Sequence, residues 1–205
     1  MPQARASAVP AASIDAADSA RTIALQMLEE RGRGAVLVGV ARVDAALERL
    51  LLAVLLPSPG RSDALFQPDR PLGSFGARIT LAARLGLIDA PVEQALQTLR
   101  RVRNAFAHST TTATLADPSH ADRLAQAYAA ARVNSLWSPL NRILQEQVGG
   151  DGFPLDPALR DYILLITILV AFLEAAAQQL SPQPPAVVMG FGGIQPSVSG
   201  VANPS

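Results

Sequence analysis

Arg103, Asn104 and His108 are the residues of this chain best suited to acid–base work on a phosphate. They lie in Leu99–Ser109, LRRVRNAFAHS, together with Arg100 and Arg101. Arginine stabilises phosphate charge, imidazole gives or takes a proton near neutral pH, and a carboxamide orients. Such a set can cleave RNA without a metal ion. The same residue types also suit a plain helix end, where Arg and His complement the macrodipole and bond the last carbonyls.

A helix must position them. Val92, Leu96, Leu99, Val102 and Phe106 recur at spacings of 4, 3, 3 and 4, which defines one buried stripe. Arg100, Arg101, Asn104 and His108 fall off that stripe. Arg101, Asn104 and His108 share one strip of surface at i, i+3 and i+7. Arg103 lies about 140° round the helix from His108 at about 3.6 residues per turn. An intrachain Arg103–His108 pair therefore needs the histidine to swing off the helix end.

Two other places invite chemistry. Asp44 and Glu48, at i and i+4 on an otherwise apolar helix, can hold a metal or act as acid and base. Pairing is the expectation preferred here, because a charge on so apolar a helix should not stay unpaired, and Arg103 is the first candidate partner of Asp44. Ser74, in GSFGAR, is expected to cap a helix, and the same turn can cradle an anion. Arg100, Arg101 and Ser74 are thus the binding candidates. His120 is expected at the surface, and Trp137 in core or interface.

Composition removes whole classes of function. The 205 residues contain no cysteine, which excludes thiol nucleophiles, thiolate zinc, iron–sulfur clusters and disulfides. Lysine is absent too, excluding a phosphate-loop NTPase and Schiff-base chemistry. With only two histidines, no multi-histidine metal site is expected, and no cofactor is implied. Basic and acidic residues balance at 17 each, so nucleic-acid contact would have to be local. Tyr162–Leu173, YILLITILVAFL, is too short for a bilayer, which takes about 20 residues, and reads as a core helix. A cytoplasmic protein without membrane contact is expected.

Caps and breakers divide the chain. Residues 1–12 read as a disordered tail, 13–180 as one helical domain, and 181–205, rich in Pro, Gly and Ser, as a second disordered tail. Within the domain a first helix ends at RGRG, 31–34, and a second runs from Ala35 to Leu56. A short turn is expected at Ser62–Phe66. Ser74, Asp89 and Asp156 are expected caps, with Pro91 and Pro157 in first turns and Gly86 as a stop. Two further helices cover about 119–132 and 135–148. The fold class is all-α, a bundle of about six to seven helices.

RNAFAH, Arg103–His108, matches the arginine, four-residue gap, histidine pattern of HEPN-type domains. Three segments extend the likeness: 33–56, RGAVLVGVARVDAALERLLLAVLL; 71–88, PLGSFGARITLAARLGLI; and 99–109. In order and spacing these resemble the mannitol operon repressor (MltR) family. That resemblance implies an all-helical regulator of a sugar-alcohol operon, without a DNA-reading helix-turn-helix. It would act through a protein partner or limited nucleic-acid contact. The HEPN likeness implies a different class, a metal-independent endoribonuclease or nucleotide-binding toxin component. There Arg103 would stabilise phosphate, Asn104 would position, and His108 would be acid and base. HEPN-like pairing through the motif helices implies a homodimer, which the high apolar content also suggests.

Overall fold

Ala11–Val54 forms one helix, α1, in the computed structural model, which describes residues 11–58, 60, 63–109, 113–148, 155–182 and 187–196. The expected break at RGRG does not divide it. Gly32 departs locally to φ +43°, a conformation glycine adopts at little cost, and the helix resumes at once. A single permissive residue is absorbed where the flanking turns are strong helix formers.

After α1, Asp63 caps a 3-10 turn at Ala64–Phe66, inside the expected short turn. Pro68 and Asp69 then form the corners of a turn closed by Arg70 N–H to Gln67 O at 3.1 Å, with Asp69 at φ 64°. Five helices follow: α2 (Phe75–Arg84), α3 (Ala90–His108), α4 (Pro118–Arg132), α5 (Trp137–Val148) and α6 (Pro157–Gln179). The caps fall where the residue types put them. Ser74 Oγ accepts from Ala77 N–H at 3.2 Å, Asp89 from Val92 N–H at 2.9 Å, and Asp156 from Ala158 N–H at 3.2 Å. Gly86, at φ +69°, follows the end of α2. The chain is all-α in its body, with six α-helices among the described residues.

The core is the pairing of α1 with α6. Asp161 to Val170 are buried without interruption, so α6 is the central helix that its apolar run implies. Gly39 lets α6 approach, since a Cβ there would lie 3.2 Å from both Ile166 and Tyr162. The Tyr162 hydroxyl donates to Val36 O at 3.2 Å, giving its one polar atom a partner. Arg49 ties α1 to Glu174 of α6, and Arg132 of α4 reaches the buried Asp161. α3 lies against α1, α2 and α4, with its motif half beside α1 and α2. Among the described residues no helix is long and apolar enough to cross a membrane.

The C-terminal segment contains more than a flexible appendage. β1 (Val187–Gly190) and β2 (Gly193–Pro196) pair antiparallel, Val187 opposite Pro196 and Gly190 opposite Gly193. β-Branched Val187 and Val188, a glycine-rich turn and Ile194 supply the local preference. Four-residue strands are too short to show as alternation in a sequence. Residues 1–10, the N-terminal tail apart from its last two positions, lie outside the described residues, as do 183–186 and 197–205.

Candidate functional site

The apolar stripe of α3 is buried as its spacing requires: Leu96, Leu99, Val102 and Phe106 are fully covered and Val92 partly so. The polar residues are therefore turned outward. Arg100 and Asn104 are half-buried at the edge of the stripe; Arg101, Arg103 and His108 are exposed.

Arg100, Arg103 and Asn104 form one wall of a groove of about 540 Å³. The opposite wall is Gly73–Gly76 at the start of α2, and the floor is α1, from Arg33 to Asp44. Arg100 lies across Gly76, where a Cβ would come within 3.4 Å of its Cδ. Its Nε donates to Gln97 at 3.0 Å, and Arg103 Nη1 donates to Asn104 Oδ1 at 3.2 Å. Among the described residues neither arginine is ion-paired to a carboxylate. Arg33, a residue the sequence did not single out, donates from α1 to Ala107 O at 2.8 Å and Ser109 O at 3.3 Å. It thereby bonds the carbonyls at the end of α3. Its signal was present in RGRG, read only as a helix breaker.

The expected Asp44–Arg103 pair is replaced by another. Asp44 accepts from Arg78 Nη1 at 2.7 Å, and Glu48 from Arg78 Nη2 at 2.9 Å. Arg78 Nε donates to Leu72 O at 2.8 Å, Nη2 reaches Phe66 O at 3.4 Å, and the guanidinium sits 5.5 Å from the Phe66 ring centroid. One buried arginine thus ties the chain before α2 to Asp44 and Glu48 of α1. Arg78 precedes Ile79 and stands four residues before Ala82, both buried, so its place on the inner face was legible from the spacing. Arg103 starts from the outer face of α3 and remains there.

His120 is also corrected. It is buried, 4.9 Å from the Phe106 ring centroid, because the first turn of α4 folds over α3. Trp137 packs against the core, with the Arg132 guanidinium 5.8 Å from its ring centroid.

Of the sequence candidates, the groove brings together Arg100, Arg103, Asn104, Ser74 and Asp44. Arg101 and His108 lie outside it, so one chain does not assemble arginine, asparagine and histidine around a common point. Among the described residues no three His, Asp or Glu converge as metal ligands. Asp44 is already matched by Arg78, so the cations of the α3 wall face the groove without that carboxylate as counter-ion. Chemically, this arrangement suits an anion held by two guanidinium groups. Comparison with protein-family models, curated proteins and solved structures finds no match to this chain.

Proposed function

We propose that this chain is a non-enzymatic, cytoplasmic regulator of the mannitol operon repressor type. It holds the phosphate backbone of a nucleic acid in the groove between α3 and the start of α2. One observation carries the binding reading: Arg100 and Arg103 line an open groove whose acidic residue, Asp44, is taken by Arg78. Guanidinium forks suit phosphate oxygens, and the N–H groups at the start of α2 add donors of the same sign. The assignment to sugar-alcohol control rests on the three resembling segments, two of which contribute groove walls.

A second reading is favoured by the exposure of both Arg103 and His108, with Arg103 bonded to Asn104 rather than buried against Asp44. Two copies of the motif, combined across a homodimer, would bring a histidine to the other chain's arginine. The protein would then be a metal-independent endoribonuclease.

Fluorescence anisotropy in EDTA, with labelled single-stranded RNA and duplex DNA, separates these. Arg100→Ala and Arg103→Ala are expected to weaken binding and flatten its salt dependence, by about 0.7 in the log–log slope per lost contact on a single strand. RNA is expected to stay intact. Cleavage by the wild type that folded Arg103→Ala and His108→Ala both lose would install the nuclease instead. Absence of binding to either polymer would leave the groove to a protein partner.

A further inference from the structure

The groove does not stop at Gly76. Beyond that residue lies a second hollow of about 580 Å³, between the outer side of α2 and α3, lined by Pro71, Thr80, Leu81, Arg84 and Gln97 among others. The two hollows share Ser74, Gly76 and Arg100, so they meet at the first turn of α2. Arg100 crosses there. A Cβ on Gly76 would stand 3.4 Å from its Cδ and 3.5 Å from its Nε, which lays the arginine side chain against the backbone at the saddle.

The charges run through both hollows with one sign. Arg103 lines only the first, Arg100 lines both, and Arg84 lines only the second. Among the described residues none of the three is ion-paired to a carboxylate. No acidic residue lines the second hollow, and Asp44, the acidic residue of the first, is held by Arg78. From Gly76 to Arg84, α2 rises about 12 Å at about 1.5 Å per residue. That is room for more than one nucleotide, at about 3.4 Å per stacked step of a strand. Along the same strip of α3, one turn before Gln97, stands Glu93, whose charge would turn a polyanion away.

Apolar surface is interleaved with these cations. Leu37 and Phe75, both half-buried, line the first hollow, while Pro71 and the half-buried Leu81 line the second. A duplex keeps its bases stacked inside and offers such walls nothing. A single strand offers phosphates to arginine and open base faces to aromatic and apolar side chains. Resting on the reading of the groove as a phosphate site, we infer that the second hollow continues that site. One single strand of nucleic acid crosses Gly76 beside Arg100, with phosphates on Arg103, Arg100 and Arg84 and bases against Phe75 on one side and Leu81 on the other.

Fluorescence anisotropy with a labelled single-stranded 12-mer and a blunt 12-base-pair duplex, each over a range of salt, tests this. Arg84 and Thr80 are exposed, so Arg84→Ala and Thr80→Glu should fold as the wild type does, which circular dichroism checks. The wild type is expected to bind the single strand more tightly than the duplex. Arg84→Ala should lower the log–log salt slope on the single strand by about 0.7, which is about fivefold in affinity at 0.1 M salt. Thr80→Glu, which puts a carboxylate in the second hollow alone, should weaken binding at least as much. If Arg103→Ala weakens binding while Arg84→Ala and Thr80→Glu do not, the phosphate groove stands and its continuation is overturned. Duplex bound as tightly as single strand would overturn the choice of ligand. Binding of neither polymer would remove the groove reading and this inference together.

Discussion

Arg78 is the residue on which the geometry of the groove depends. Its guanidinium is shared among two carboxylates and two carbonyls, so no single partner accounts for its burial. Arg78→Ala leaves Asp44 and Glu48 facing each other one turn apart. It should cost about 2–4 kcal/mol, below the full buried-pair figure because both carboxylates are about a third exposed. Asp44→Ala leaves Arg78 with Glu48 and both carbonyls and should cost about 1 kcal/mol, the net value of one hydrogen-bonded contact. Urea unfolding of the two variants ranks them; equal losses would show that Asp44 alone holds the arginine. A different dependence attaches to Asp117. The backbone N–H of Thr114 and then its hydroxyl hold the Asp117 carboxyl below its ordinary pKa. With the folded value below the unfolded one, the contribution is complete above about pH 3.9 and is lost as pH falls through the folded value. The stability gap between wild type and Asp117→Asn should therefore shrink on acidification. Asp44 and Glu48 were legible as charges needing a cation. Which cation answered depended on the approach of α2, which the order of residues along α1 does not encode.

At the scale of elements, caps and breakers were read most securely because their physics is local. Ser74, Asp89 and Asp156 each satisfy an amide within three residues. Ser74→Ala should cost about 1 kcal/mol and loosen the first turn of α2, the wall that faces Arg103. Gly73 is more demanding, since a Cβ there would run into the Gln67 carbonyl oxygen, a backbone atom that cannot rotate away. Gly73→Ala should therefore weaken ligand binding in the groove more than Ser74→Ala does. Side-by-side titration checks this, and equal affinities would show that the turn adapts. Between α1 and α6, Gly39→Leu should destabilise by about 1–3 kcal/mol through overpacking, outweighing the roughly 1 kcal/mol that helix propensity returns. RGRG misled because a glycine pair is a breaker only when neighbouring turns do not hold the helix, and here Arg33 is anchored to the end of α3.

For the whole molecule, the body and the C-terminal segment should behave as separable parts. A chain ending at Leu180 loses a hairpin whose large apolar side chains are exposed. Its melting temperature at low concentration should match that of the full chain. Calorimetry on the two chains checks this, and a lower melting temperature for the shortened chain would show that the segment braces the body. The sequence by itself determined that the body is helical, where most helices start and stop, which stripe of α3 is buried, and which chemistries no side chain can supply. Each follows from periodicity, capping or the presence of a functional group, properties carried by neighbours along the chain. Only the tertiary structure decided that Arg78 answers Asp44 and that His120, in the first turn of α4, is buried against Phe106 of α3. It also set Arg103 in the groove with Arg100 while leaving His108 outside. These outcomes turn on which helix faces meet across long stretches of sequence, and packing chooses those faces only when the whole core closes.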